Sequence, residues 1–227
     1  MIRSVKPEDA AAIATIYNHY VLETTISFEV EPLSAEEMRA RIGHTSAEFP
    51  FLVWEAEGRV LGYACAHCWK ERAAYASTWE VSIYLHPQSC GQGIGSRLME
   101  RLIADCRRGG CRSLIACITG DNETSRAFHR RHGFRRVSHF SRVGMKFGRI
   151  LDVVDYQLED IAALARYAAG LGNVQRVDVL PFHQMGKFKW GELGLEYTLM
   201  DVEPPEPELT DAVRTIFRTH GFAHCTH

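Results

Sequence analysis

Gln88-Ser89-Cys90-Gly91-Gln92-Gly93-Ile94-Gly95-Ser96 joins a strand-like run, residues 80–85, to a helix-like run, residues 97–106. Gly91, Gly93 and Gly95 remove side chains where the backbone must turn and come close to a ligand. The helix that follows offers unpaired N–H groups and the positive end of its dipole, so the junction suits an anion such as a pyrophosphate. The same turn also occurs where a strand simply packs tightly on a helix, so the spacing has to decide. A P-loop needs Lys-Ser or Lys-Thr after its last glycine, and Gly95 is followed by Ser96-Arg97. A Rossmann turn needs G-x-G-x-x-G and an acid at the end of the next strand, whereas these glycines alternate and the next strand ends in Cys117-Ile118.

Around the loop, the periodicity alternates between strand and helix. Pro7 suits the first turn of a helix over residues 8–22, with Ile13, Ile16, Tyr17 and Tyr20 on one face. Ser34 and Glu37 form a capping box ahead of a second helix reaching Ile42. Residues 51–55 and 60–67 flank Glu57-Gly58 as a hairpin, and a strand over 77–85 leads into the glycine loop. Ile94, Leu98, Leu102 and Cys106 mark a helix that Gly109-Gly110 stops, before a buried-type strand over 113–118. Asn122 caps a short helix ending at Gly133, and strands over 134–139 and 150–158 flank a Gly144–Gly148 turn. The sum is an α/β chain, a mixed sheet with helices on both faces.

Several stretches together resemble the GNAT N-acetyltransferase family, in its phosphinothricin and methionine sulfone acetyltransferase branch. They are Ile16-Tyr17-Asn18-His19-Tyr20-Val21, Trp69-Lys70-Glu71-Arg72-Ala73-Ala74-Tyr75, the strand Thr78-Trp79-Glu80-Val81-Ser82-Ile83-Tyr84-Leu85, the glycine loop, and Gly144-Met145-Lys146-Phe147-Gly148-Arg149 with Asp152. The resemblance covers residues 1–158 and implies the acyl-CoA N-acyltransferase fold with acetyl-CoA as cosubstrate. The family usually carries Gln or Arg before the first loop glycine, where this chain has Cys90. Backbone amides do most of the expected binding, and any non-proline residue supplies one.

The resemblance also implies site residues. Gly91, Gln92, Gly93, Ile94, Gly95 and Ser96 hold the pyrophosphate, and backbone groups of Ile83, Tyr84 and Leu85 hold the pantetheine arm and acyl carbonyl. Glu80 is the general base toward the substrate ammonium; a glutamate in an apolar, aromatic strand also asks for a functional reason, and burial would raise its pKa usefully. Asn122, Ser125 and His129 share one helical face in the family's second cofactor motif, where His129 replaces a common Tyr and is a candidate acid for the CoA thiolate. The helix-capping alternative for Asn122 and a surface role for His129 stay open. Arg126, Arg130 and Arg131 are candidates for the 3′-phosphate, with a solvated face as the alternative. Lys70, Arg72 and Tyr75 can meet a substrate carboxylate, and Phe28, Tyr84 and Lys146 line the acceptor pocket.

That site implies acetyl transfer to a small amino-acid-like acceptor such as phosphinothricin, methionine sulfone or methionine sulfoximine. Attack is direct in a ternary complex, because no cysteine is placed by the sequence as an acylated nucleophile. The competing reading is a non-catalytic acyl-CoA-binding or interaction module, and replacing Glu80 separates the two.

Composition narrows the rest. The chain has 227 residues, 46% hydrophobic and 24% charged, with a net charge of −2, so no global field favours nucleic acid or an acidic membrane. No apolar stretch approaches the ~20 residues of a membrane span, and Met1-Ile2-Arg3 opens as a strand rather than a leader, so a cytoplasmic location is expected. The seven cysteines read as reduced thiols. Cys65-Ala66-His67-Cys68 lacks a second half-site, and His224, Cys225 and His227 sit at a terminus, so no metal is expected.

Composition shifts at Glu159-Asp160, which sets domains at 1–159 and 160–227. An Ala-rich helix to Gly170, a strand over 174–180 and the acidic proline segment 203–207 follow. The run from Asn173 to Lys187, with Lys189-Trp190 and Glu203-Pro204-Pro205, resembles the end of pyruvate formate-lyase activating enzyme, a radical-SAM protein. That family's C-x-x-x-C-x-x-C cluster motif is absent from the chain, so radical chemistry does not follow, and the appendage is expected to be non-catalytic. Exposed strands in both modules leave room for a homodimer.

Overall fold

The computed structural model describes residues 1–159, 161–197, 204–205, 207–223 and 225–226. Two compact units divide the chain after Glu159.

The first unit is built on an eight-stranded sheet. Its elements are β1 (Ile2–Ser4), α1 (Ala10–Glu23), α2 (Ala35–Ser46), β2 (Phe51–Ala56), β3 (Arg59–Cys68), β4 (Thr78–Leu85), α3 (Ile94–Arg108), β5 (Ser113–Thr119), α4 (Glu123–Arg131), β6 (Arg135–Arg136), β7 (Phe140–Lys146) and β8 (Arg149–Glu159). Strand order is β1-β2-β3-β4-β5-β8-β6, with β7 also paired to β8. All pairings are antiparallel except β4 with β5. A parallel pair needs a crossover, which α3 supplies.

Period-2 alternation distributes side chains to the two faces. Leu52, Ala64, Ala66, Trp79, Val81, Leu114, Ala116, Ile118, Val154 and Tyr156 pack with Leu98, Met99, Leu102, Ile103 and Cys106 of α3. Their neighbours Phe51, Val53, Tyr63 and Cys65 face the other way, onto Ile13, Ile16, Tyr17 and Val21 of α1 and Met38 and Ile42 of α2. The capping box of α2 forms, with Ser34 Oγ accepting from Glu37 N at 3.2 Å and Glu37 Oε2 accepting from Ser34 N at 2.7 Å.

Two expectations near residue 140 are corrected. The strand expected over 134–139 is only β6: Phe134 is buried, and the ladder to β8 is interrupted where Val137 N and Ser138 N both donate to Asp155 O, before β7 resumes it at Phe140. Gly144 lies within β7 rather than in a turn; the reversal is at Phe147 and Gly148, with φ of 50° and 70°.

The second unit contains α5 (Ile161–Gly170), β9 (Val177–Asp178), α6 (Lys187–Glu192), α7 (Pro207–Thr219) and β10 (Cys225–Thr226). Ala165, Phe217 and Phe222 form its small core. The strand expected over 174–180 shortens to two residues, since its ladder partner β10 is equally short and the two pair in parallel. In the acidic proline segment, Glu203 and Glu206 lie outside the described residues, as do His224 and His227 of the terminal group. Among the described residues no helix is long and apolar enough to cross a membrane, and no cluster of three His, Cys, Asp or Glu is arranged to hold a metal ion.

Candidate active site

Strands β4 and β5 pair only at Thr78–Ser113, Trp79–Leu114 and Glu80–Ile115. Beyond Glu80 both continue, over 81–85 and 116–119, without pairing to each other. Backbone groups of β4 that would have been spent on a ladder are thereby opened to a ligand. Glu80, Val81, Ser82, Ile83 and Tyr84 on one side and Ala116, Cys117, Ile118 and Thr119 on the other line the resulting cleft. Tyr20 Oη donates to Leu85 O at 2.6 Å, fixing the far end of β4. Tyr84 packs edge-on to Tyr17 and stacks on Tyr63, with ring centroids 5.1 and 5.6 Å apart.

The glycine loop follows at the end of β4. Gly91 and Gly93 each have φ of +76°, a left-handed conformation that explains glycine there. Gly95 serves packing: a Cβ on it would meet Leu85 Cδ1 and Phe128 Cε2 at 3.4 Å. The first amide of α3 with a carbonyl partner is Arg97 N, on Gly93 O at 3.2 Å; those of residues 91–96 have none among the described residues. Six consecutive donors at the N-terminus of a 15-residue helix form a cradle that fits a pyrophosphate. Ser96 turns its Oγ to His132 Nε2 at 3.2 Å.

Helix α4 carries the next wall. Asn122 Oδ1 accepts from Ser125 N at 3.1 Å, so the capping role is real, and Asn122, Ser125 and His129 all line the cleft. His129 is buried at 3% exposure, with Nδ1 2.8 Å from Ser125 O and the ring edge-on to Phe134. Burial pushes its pKa below the usual histidine value. The surface alternative for His129 is therefore corrected, and the buried ring is favoured in its neutral form. Arg126 and Arg130 both pair with Glu123, at 2.9 and 2.6 Å, whereas Arg131 is exposed.

Glu80 stands where the two strands part. Its carboxyl is a quarter exposed, and burial raises its pKa, with His67 opposing the rise and Asp155 adding to it. Cys117 lies on β5 two residues beyond Ile115, the register partner of Glu80, and donates Sγ–H to Asp155 Oδ1 at 3.0 Å across the β5–β8 pair. Burial and that hydrogen bond push the thiol well above its ordinary value. Cys65 and Cys117 both line the cleft, but neither is a thiolate at neutral pH; burial pushes Cys65 up to about 12.

The acceptor residues expected from sequence separate into two groups. Phe28 lines the cleft with Ile26, Ser27 and Glu29, on the segment between α1 and α2. Lys146 does not line it: this residue is 4% exposed and donates Nζ–H to Ser27 O at 2.6 Å, so it holds the Phe28 segment from behind. Lys70, Arg72 and Tyr75 lie outside the wall, on the loop joining β3 to β4. That loop connects the strand ends where His67 opposes Glu80 and Cys68 opposes Trp79, which puts it at the Glu80 end of the cleft. Lys70 Nζ sits 4.0 Å from the Trp69 ring centroid, and Arg72 is exposed.

His67, Cys117 and Asp155 were not found from sequence as site residues. The signal was alternation: 115, 117 and 119 on β5 and 153, 155 and 157 on β8 share a face, but only the register brings that face to Glu80.

Comparison with known proteins agrees with this geometry. The Acetyltransferase (GNAT) family pattern matches residues 13–134. The chain is 43% identical over 156 residues to phosphinothricin N-acetyltransferase of Alcaligenes faecalis, spanning 67% of this chain and 79% of that protein. It is 36% identical to the L-methionine sulfoximine/L-methionine sulfone acetyltransferase of Salmonella typhimurium, over 70% of this chain and 93% of that one. A crystal structure of a GNAT superfamily phosphinothricin acetyltransferase from Sinorhizobium meliloti, in complex with acetyl-CoA, superposes with a TM-score of 0.68 at 35% identity, over 70% of this chain and 87% of that one. The mixed sheet with helices on both faces is the expected GNAT acyl-CoA N-acyltransferase fold, and the chain belongs to the GNAT family of acetyltransferases.

Proposed function

We propose that this enzyme transfers acetyl from acetyl-CoA to the amino group of a small amino-acid-like acceptor of the phosphinothricin, methionine sulfone or methionine sulfoximine type. The observation that carries the reading is the position of Glu80, half-buried at the point where β4 and β5 part, with a raised pKa. The names of the relatives support the acceptor class.

Acetyl-CoA supplies an activated acetyl thioester. The unpaired amides of residues 91–96 hold its pyrophosphate, and the free edge of β4 at Ile83, Tyr84 and Leu85 takes the pantetheine arm. Glu80 removes a proton from the acceptor ammonium, directly or through one water; its raised pKa makes it a better base near neutral pH. His129, neutral and donating Nδ1–H to Ser125 O, presents Nε2 as an acceptor, which suits orienting a donor better than giving a proton. Arg131 is the guanidinium of α4 left for the 3′-phosphate.

An α-amino acid carries its carboxylate on the carbon that bears the amine, so the cation that binds it must lie near the base. Arg72 and Lys70, at the Glu80 end, meet that requirement. Arg41 in the wall is already committed to Glu29 at 2.8 Å. Transfer is direct, because the protonated thiols of Cys65 and Cys117 are poor nucleophiles: the amine nitrogen bonds to the acetyl carbonyl carbon, the C–S bond breaks, and the leaving thiolate takes the second proton that the nitrogen sheds. The second unit has no catalytic part. The wording of residues 173–190 supports its origin as the end of a radical-SAM activating enzyme.

The test is free-thiol release from acetyl-CoA with phosphinothricin, methionine sulfone, methionine sulfoximine and polyamines offered separately. Turnover confined to the amino acid analogues supports the reading. Acetyl-CoA binding without turnover on any of them favours a binding module instead.

A further inference from the structure

His67 faces Glu80 across the β3–β4 pair, with Nε2 4.0 Å from Glu80 Oε1. Its other ring nitrogen, Nδ1, is 3.1 Å from Cys68 O. A carbonyl oxygen only accepts, so Nδ1 carries the proton of the neutral ring and Nε2 turns its lone pair toward Glu80. A carboxylate that gains a proton in every turnover must lose it before the next. The groups that face Glu80 differ in their ability to take it. Cys117 on β5 is protonated and donates to Asp155. Asp155 on β8 is 9% exposed against 41% for the His67 side chain, so a proton left there has the poorer route to water. Cys65, on the same strand as His67, is a buried protonated thiol. His67 alone in this group pairs contact with Glu80 and a side chain 41% exposed.

We propose that His67 is the proton exit of the active site, carrying the proton that Glu80 takes from the acceptor ammonium out to solvent. The inference rests on Glu80 being the base. An N–H bond of the ammonium breaks as a Glu80 O–H bond forms. That O–H bond then breaks as Nε2 of His67 gains the proton, across one bridging water or after a small side-chain rotation. The exposed imidazolium gives the same proton to bulk water or buffer and returns to its starting tautomer. No further reactant is needed. His67 acts through Glu80 and is a positioning residue for proton transfer, with no contact to acetyl-CoA required.

The test compares wild-type enzyme with His67→Ala and His67→Asn in dilute buffer, reading thiol release at saturating substrates while imidazole is added. Both variants are expected to lose about 10-fold in kcat, a part of the usual general-base contribution, with KM values little changed. Imidazole should restore kcat toward the wild-type value in both, and leave the wild-type rate unchanged. Wild-type kcat in the variants, or a loss that imidazole does not restore, overturns the proposal. Melting curves identify a variant that fails to fold, and the Asn variant keeps a polar side chain of similar reach. Glu80→Gln, measured alongside, separates the two ideas: full activity in it removes the base assignment, while inactivity with no imidazole rescue leaves that assignment standing whatever His67 does.

Discussion

Gly144 of β7 lies flat against the ring of Phe28, so close that a Cβ on it would stand 2.3 Å from Phe28 Cε2 and 2.7 Å from Cζ. The glycine thus sets the position of an aromatic side chain that lines the cleft from the segment between α1 and α2. Lys146, two residues on, fixes the same segment through Ser27 O.

Gly144→Ala should therefore push the Phe28 ring rather than unfold the protein, because the ring is 43% exposed and free to swing. The stability cost is expected at the low end of the 1–3 kcal/mol typical of overpacking. Acceptor KM should rise by about 10-fold, the scale of a one-carbon change in a pocket, while the KM for acetyl-CoA stays put. An unchanged acceptor KM would remove Phe28 from the acceptor site.

Glu80→Gln should lower kcat by about 10²–10⁴, the usual worth of a positioned general base, and leave acetyl-CoA affinity intact by calorimetry. In the wild type, kcat should climb with pH through a value above the ordinary carboxylate range, since only the ionised form accepts a proton. Stability should run the other way. Between the unfolded value near ~4.3 and the raised folded value, the folded state holds more protons, so stability falls as pH rises through that window. Glu80→Gln should accordingly melt above wild type at pH 8 and level with it at pH 4; a variant that melts lower at pH 8 contradicts the raised pKa.

The parts of this molecule legible in its sequence are those where a residue carries its own constraint. Gly91 and Gly93 announce left-handed backbone, Ser34 and Glu37 announce a helix start, and the glutamate in the strand Thr78–Leu85 stands out from its apolar and aromatic neighbours. What depends on pairing between distant segments was not legible. Lys146 reads as a pocket-lining cation, yet its partner carbonyl is 119 residues away, and only the folded chain shows its ammonium spent there. His129 reads as a candidate acid with a surface role left open, and it is buried because Phe128 and Phe134 close over it, which the arginine-rich helix does not announce. Gly144 and Gly148 look like two ends of one turn; the ring of Phe28 requires the first of them inside the strand.

Cys117 provides a direct check on the route of transfer. Its Sγ lines the cleft, but its proton is held by Asp155 and by burial. Cys117 is exposed, as Cys68 and Cys90 are, so access alone does not separate the three. Because its thiol is held protonated, alkylation by iodoacetamide at pH 8 should be much slower at Cys117 than at the other two, resolved by peptide mass spectrometry. Cys117→Ser keeps a donor for Asp155 and should keep most of kcat, with initial-rate lines that intersect. Parallel lines in the wild type, or an inactive serine variant that folds normally, would point to an acetylated cysteine and end the direct-transfer reading.

Arg72→Ala tests the rim. The acceptor carboxylate is expected to meet this exposed guanidinium at the Glu80 end of the cleft, where a bidentate charged contact is worth several kcal/mol only if it excludes water. At an open rim a smaller effect is expected, an acceptor KM raised about 10-fold, consistent with 1–2 kcal/mol, and kcat little altered. A decarboxylated acceptor should bind equally weakly to wild type and variant. Arg41→Ala, measured beside it, should affect stability through the lost Glu29 pair more than acceptor KM, and the reverse ranking would move carboxylate recognition from the loop to α2.

The last expectation concerns the second unit. Among the described residues, those that line the cleft fall between Tyr17 and Val153, and both large hydrophobic clusters of the first unit end by Leu158. β8 ends at Glu159, paired along its length to β5 and β7, and all eight strands of that sheet belong to the first unit. A chain ending after Glu159 should therefore fold, melt cooperatively and turn over the same acceptors with kcat/KM close to that of the full chain. The second unit, whose core among the described residues is Ala165, Phe217 and Phe222, should lose its protection in hydrogen exchange before the first. If the shortened chain folds but loses turnover, residues beyond 159 take part in the reaction, and their non-catalytic role is wrong.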